Sequence, residues 1–330
     1  MHAPGFVAVA VITMAMGIGA STAVFSVLQT LFLKPLPFTA PERLVRLHTA
    51  DPHRRFPGTR FLPLSAPCYR DLRERQRVFT DVAAYQATSY ILTGPGDAER
   101  VKGLRVTGSF FLVLGSLPAL GRTLQPMDEG GPRSVVLTNA LWRERYGGDT
   151  SILGRSLVLN GKGHVVVGIL TPAFVWQGGP QVFIPDPPRP DELAGARGTL
   201  AFGGIARLKP GVSVDQASRS IEQLGRELQA EIPDGKEWGI GTTGLWESFY
   251  GDRRTTMGFL LLTGLFVLII ACANLANLML SRAISRKRDM ALRLALGGDW
   301  REALQPFLAD GFVLSLGGAA MGLVLASGLS

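Results

Sequence analysis

Met257-Gly-Phe-Leu-Leu-Leu-Thr-Gly-Leu-Phe-Val-Leu-Ile-Ile-Ala-Cys-Ala-Asn-Leu-Ala-Asn-Leu-Met-Leu280 runs for 24 residues without a charge and soon breaks into Arg282-Ala-Ile-Ser-Arg286-Lys287-Arg288. At a rise of about 1.5 Å per residue, such a run makes a helix able to cross a hydrocarbon core of roughly 30 Å. Residues 3–33 and 311–330 also carry no Asp, Glu, Lys or Arg. Three membrane-spanning helices are therefore expected.

Orientation follows from the short loop between the second and third of these runs. It holds Arg282, Arg286, Lys287, Arg288, Arg293 and Arg301 against Asp289, Asp299 and Glu302, and short loops rich in Lys and Arg stay in the cytoplasm. One helix separates that loop from the polar region, which is then extracytoplasmic. The expected layout is a first span at 1–33, an extracytoplasmic domain at 34–254, a second span at 255–281, a cytoplasmic loop at 282–306 and a third span at 307–330. The expected place is the inner (plasma) membrane, with the lipid bilayer as an obligate partner. The first run has small residues after an apolar stretch, as a cleaved leader would. It also continues to Leu33 and lacks a basic start, which favours an uncleaved helix.

Of the net charge of +8, most is spread over the outer region with no compact Lys/Arg block there, so nucleic-acid binding is unsupported. Cys68 lies in the outer region and Cys272 inside the second span of the expected topology, so they do not meet and no disulfide is expected. His2, His48, His53 and His164 show no metal-ligand spacing, and neither a GxSxG turn nor a GxxxxGK[ST] phosphate loop occurs. The chain is expected to be no enzyme and to need no cofactor; if ATP drives it, another polypeptide binds the nucleotide. Gly239-Ile-Gly-Thr-Thr-Gly244 fits GxGxxG but follows a polar stretch instead of a strand, and so reads as a flexible loop approaching the membrane.

Within the outer region, Lys34-Pro-Leu-Pro37 stops the first helix, and Leu44-Val-Arg-Leu47 reads as a short strand. Ser65 is placed to cap a helix through Pro67, Tyr69 and Leu72, and Ser109 to cap a short apolar one after Val106. Asn160-Gly161 between two β-rich runs is a tight-hairpin signal. Ser213 with Gln216 forms a capping box ahead of Val214, Ala217, Ile221, Leu224 and Leu228 at helical spacing. Strands, hairpins and helices mixed in this order predict an α+β domain of about 220 residues, long enough for two lobes.

The span ending Ala271-Cys-Ala-Asn274-Leu-Ala-Asn277-Leu is followed by Arg288-Asp-Met-Ala-Leu-Arg293-Leu-Ala-Leu-Gly297-Gly. Together with Gly17-Ile-Gly-Ala-Ser21, Val113-Leu-Gly115, Gly121-Arg-Thr123, Trp142-Arg-Glu-Arg-Tyr-Gly147 and Ala206-Arg-Leu-Lys-Pro-Gly211, this order resembles permeases of the MacB/FtsX type among ABC transporters. The group known as acidobacterial duplicated orphan permeases is the most similar. The resemblance covers nearly the whole chain. It implies a MacB-like periplasmic core domain between spans, and an ABC-type ATPase subunit in trans that docks on the cytoplasmic loop and moves the helices and outer domain. The docking positions it implies are Arg288, Asp289, Arg293 and Gly297, with Asp289 standing where the family carries Glu. It also implies a second permease copy or another permease half.

Asn274 and Asn277 lie inside the second run, where unpaired amides are costly, and are expected to fix helix packing through interhelical hydrogen bonds. Three spans where the family has four, and a start almost inside the first, lead to the expectation of a truncated product or half of a larger permease. The competing reading is an uncoupled, membrane-anchored binding or scaffold protein; control of cell-wall hydrolases is a third.

Overall fold

The computed structural model describes residues 36–50, 60–94, 97–231, 239–251 and 254–285, together with Ile12, Gly19 and Thr22. The chain divides into a compact unit, Pro35–Asp252, and a second unit whose described part is mainly one helix.

The compact unit is α+β. Its strands are β1 (Leu44–Ala50), β2 (Phe79–Thr93), β3 (Glu99–Val106), β4 (Pro118–Gly121), β5 (Ser134–Leu137), β6 (Ser156–Leu159), β7 (Lys162–Leu170), β8 (Val182–Pro185), β9 (Gly203–Leu208) and β10 (Gly239–Gly244). Its helices are α1 (Ala66–Arg75), α2 (Phe110–Leu114), α3 (Asn139–Tyr146), α4 (Pro190–Leu193), α5 (Val214–Glu231) and α6 (Leu245–Tyr250); α7 (Arg254–Ser285) belongs to the second unit. All ten strands join one sheet in the order β10-β1-β9-β2-β3-β8-β5-β7-β4, with β6 pairing to β2 and β7. The β3–β8 and β5–β7 pairs are parallel and the others antiparallel.

Three apolar clusters hold the sheet. One lies against α1 and α5, built from Val45, Leu64, Tyr69, Ile221 and Ile240 among others. Another includes Leu141 and Trp142 of α3 and the β5–β8 strands. On the opposite face of the sheet, where Leu44, Ala83, Ile205, Val136 and Phe183 alternate with residues of the first two, an aromatic cluster gathers Phe110, Phe111, Trp176 and Phe183.

The local signals act as their chemistry requires. Ser65 caps α1 by accepting the Cys68 N–H at 3.3 Å. In the capping box before α5, Ser213 N–H donates to Gln216 Oε1 at 2.9 Å and Gln216 N–H to Ser213 Oγ at 3.2 Å. Ala217, Ile221, Leu224 and Leu228 bury one face of that helix. Asn160 and Gly161, at φ 50° and 74°, turn β6 into β7 as a tight hairpin.

Two expectations fail. Ser109 makes no side-chain cap; its buried hydroxyl donates to Val82 O at 3.2 Å, tying α2 to β2. The 239–244 stretch is no loop but the edge strand β10, paired along its length with β1. Its glycines serve strand packing: a Cβ on Gly241 would stand 2.5 Å from His48 Nε2. Ser218 Oγ donates to Thr242 O at 3.0 Å, so a helix side chain occupies one carbonyl of this strand.

Close approach also explains Gly121-Arg122. A Cβ on Gly168 of β7 would collide with the Arg122 carbonyl, and one on Gly121 with the Val167 carbonyl. Arg122 then reaches the buried Asp128 with two N–H groups at 2.7 Å each, while Asp128 also accepts from Gln125 N at 2.8 Å and Ser134 Oγ at 3.2 Å. These donors hold the Asp128 carboxyl below its ordinary range, the Arg122 pairing first.

The second unit's α7 is 32 residues long. Its side chains are described for 258–274, 276, 277, 280, 281 and 284. Among the described residues no helix is long and apolar enough to cross a membrane.

Gly168→Ala is expected to destabilise the fold by about 3 kcal/mol or more, because backbone on the neighbouring strand must move. Gly198→Ala, where nothing lies within 4 Å, is expected to stay within about 0.5 kcal/mol; thermal unfolding of the two variants in detergent checks the difference. A pH effect is expected at His48, which burial, followed by the cations of Arg46 and Arg60, lowers from 6.5 to about 4. Between these values the unfolded state binds a proton that the folded state refuses. His48 therefore costs no stability above pH 6.5 and increasing stability as the pH falls toward about 4. Melting temperatures across that window should slope less in His48→Gln.

Candidate functional site

A domain placed between two apolar runs of one chain can transmit movement only through the segments that join it to them. The joining segments here are residues 36–43, after the first run, and α6, before α7. Their placement begins with strand pairing. β1 is the first strand after the incoming segment and β10 the last before α6, and they are antiparallel neighbours from Val45↔Gly244 to Ala50↔Gly239. Pairing in this sense brings the start of β1 beside the end of β10. The two joining segments thus lie at one corner of the unit.

Both are sunk into the aromatic cluster. Leu36, Phe38 and Leu245 are buried in it, and Trp246, Phe249 and Tyr250 pack against it. Ring centroids of Phe38 lie 5.8 Å from Phe174 and 6.3 Å from Trp176, and Trp176 stands 5.3 Å from Phe249 in an edge-on arrangement. Trp176 is therefore the ring shared by the incoming and outgoing segments. It also touches Phe110 at 4.9 Å and Tyr85 at 5.2 Å, which carries the contact into α2 and β2. Each such pair is worth about 0.5–1.5 kcal/mol beyond the area it buries.

Polar contacts close the corner. Thr39 Oγ1 donates to Gly115 O at 2.7 Å and Gln177 Nε2 to Ser248 O at 3.2 Å. Arg60 pairs with Glu247 of α6 at 2.7 Å, and its guanidinium and that of Arg46 each lie 5.2 Å from the centre of the Phe61 ring. Arg43 Nε donates to Leu208 O at 3.1 Å, and Arg207 Nε to Val113 O at 2.8 Å at the C-terminal end of α2. Burial, together with the neighbouring Arg43 cation, lowers the Arg207 pKa.

This corner has the makings of a rigid joint. Among the described residues no group of His, Cys, Asp and Glu is arranged to hold a metal ion. A cleft of about 620 Å³ between α1 and α5, lined by residues such as Glu74, Arg77, Gln223 and Glu227, has no His or Cys in its lining. Cys68 is partly buried against the α1 cluster, and its thiol is pushed up to about 12 mainly by desolvation there, so it is poorly nucleophilic.

Arg288, Asp289, Arg293 and Gly297 lie outside the described residues. Asn274 and Asn277 are on α7, and both are exposed. Lys34-Pro-Leu-Pro37 carries a helix-stop signal, whereas Phe38, Phe174, Trp176 and Phe249 carry no short-range signal of their role in the joint. The available signal was the density of aromatics in Phe174-Val-Trp176 and Trp246-Glu-Ser-Phe-Tyr250, the latter just before the apolar run.

Residues 7–224 match the MacB-like periplasmic core domain family. The macrolide export ATP-binding/permease protein MacB of Salmonella paratyphi A is 24% identical over 224 residues, which are 67% of this chain and 34% of that protein. The MacB of Chromobacterium violaceum is 24% identical over 265 residues, 76% of this chain and 40% of that one. The chain thus spans about a third of the length of the first of these curated relatives. Among solved structures, the periplasmic region of MacB from Actinobacillus actinomycetemcomitans aligns with 64% of this chain and 92% of its own, at 13% identity and a TM-score of 0.48. The extracellular domain of the ABC-type transporter YknZ from Gram-positive bacteria aligns with 60% and 98%, at 16% and 0.43. The chain belongs to the MacB-like periplasmic core domain family, and so to the permeases of the MacB/FtsX type.

Proposed function

We propose that this chain is a permease subunit in which an ABC-type ATPase, bound in trans on the cytoplasmic side, drives movement of the periplasmic core domain. The observation that carries the reading is the joint. Trp176 bridges Phe38 and Phe249, and β1 is paired with β10, so a displacement of either joining segment loads the same rigid core. Packed cores of this kind deform little and pass displacement on as a unit.

In this reading α7 crosses the inner membrane and residues 34–254 lie outside the cytoplasm. Phe259, Leu260, Leu261 and Leu262 are consecutive and exposed, as are Leu268, Ile269 and Ile270. Consecutive residues point to every side of a helix, so α7 is apolar all round and calls for apolar surroundings. The unbroken run of described side chains, 258–274, is 17 residues, short of the roughly 20 that a crossing needs. The uncharged sequence continues to Leu280, and that continuation supports the crossing. The runs at 3–33 and 311–330 supply the other two spans on the same ground.

The ATPase is proposed to engage Arg288, Asp289, Arg293 and Gly297, where a cationic segment meets an acidic groove. A second permease copy or half completes the assembly, and Asn274 and Asn277 are available on α7 for hydrogen bonds to it or to another span.

Affinity purification of the full chain from its host in mild detergent, followed by mass spectrometry, tests the coupling. An ABC-type ATPase is expected to co-purify with the wild type and to be lost with Arg288→Glu/Arg293→Glu at unchanged membrane insertion. Equal recovery with the double variant would remove the docking residues from the proposal. Absence of any ATPase would leave an anchored scaffold as the better account.

A further inference from the structure

Large apolar side chains that point outward on the compact unit include Leu112, Leu117 and Val175, exposed by 53%, 76% and 53%. Each is carried by the aromatic joint. Leu112 follows Phe111 on α2, whose ring lies 6.0 Å from Phe174. Val175 stands between Phe174 and Trp176, both of which turn inward. Leu117 precedes Pro118, which pairs with the buried Leu170 of the same cluster. The incoming segment reaches this rim as well, because Thr39 donates to Gly115 O two residues before Leu117. Arg43 and Arg207 bond the backbone of the same corner, at Leu208 and Val113.

We propose that this rim is a membrane-contact surface: Leu112, Leu117 and Val175 seat in the headgroup zone of an anionic bilayer, with Arg43 on the phosphate side. The inference rests on the reading of the flanking runs as spans. Three observations choose lipid as the occupant. The rim is built on the cluster that holds both joining segments, the two ends of the unit that the uncharged runs flank in sequence. The tether is short: Tyr250 precedes Met257, the first residue of the uncharged run, by seven positions, a reach of no more than about 25 Å even fully extended. The combination of exposed aliphatics and arginines is that of an interfacial surface, where apolar groups enter the acyl boundary and cations meet phosphates.

The test uses the full chain with Cys68→Ala and Cys272→Ala in phosphatidylglycerol-containing nanodiscs. An environment-sensitive fluorophore is placed singly at Leu112→Cys, Leu117→Cys, Val165→Cys on β7, or Phe266→Cys on α7. Labels at 112 and 117 are expected to shift to the blue relative to detergent and to be quenched by a lipid with a nitroxide on its headgroup, while the label at 165 is not. The label at 266 is expected to be quenched by a nitroxide on the acyl chain. Quenching at 266 with none at 112 and 117 overturns this inference and leaves the spanning reading standing; no quenching at 266 overturns both. Self-quenching between labels at 117 without lipid quenching assigns the rim to a second copy, and overturns the lipid assignment.

Discussion

The antiparallel pairing of β1 with β10 is the constraint on which the rest of the unit depends. A strand near the start of the domain and one near its end are separated by about the whole chain of the domain. Bringing them together costs loop-closure entropy that local contacts do not repay. The payment comes from burial: Val45, Leu47 and Ile240 of these strands lie in the cluster beneath α5, and Leu44 lies in the aromatic one. Once the pair forms, the two joining segments emerge together at one edge of the sheet, from which it extends through β9 and β2 to β4.

The aromatic cluster extends that constraint across the unit. Phenylalanine and tryptophan bury large areas with few rotatable bonds, so their mutual edge-on contacts fix direction as well as energy. Trp176 reaches Phe38, Tyr85, Phe110 and Phe249, which belong to the incoming segment, β2, α2 and α6. A displacement at either joining segment therefore meets β2, the 15-residue strand that borders β9, β3 and β6. The family's polar motifs sit around this core as fasteners. Arg122 holds the buried Asp128, and Arg207 holds the end of α2. Arg105 secures the β8–α4 segment through Asp186 and Glu192 at 2.7 Å and 3.2 Å.

Much of the local structure was legible because its signals are short-range. Ser65, Asn160-Gly161 and the Ser213/Gln216 box act through hydrogen bonds or dihedral preferences within three residues, and each does what its chemistry implies. Ser109 failed as a cap because Val82, 27 residues away, offers its hydroxyl a buried carbonyl. Gly239–Gly244 has weak intrinsic strand preference, and it is a strand because it pairs with the distant β1, where Gly241 leaves the room that His48 fills. The joint is hidden in the sequence for the same reason, since Phe38, Trp176 and Phe249 are distant from one another along the chain and no short-range signal links them.

By itself, then, the sequence determined the α+β mixture of the outer domain, its turns and caps, and its family, because these rest on composition and on contacts between near neighbours. Only the tertiary structure decided that the two joining segments share one corner and one tryptophan, and that Arg122 and Arg207 are fasteners. Those facts depend on which distant residues come to pack together, and that is set by the shared burial of apolar surface across the whole sheet, not by any residue's own preference.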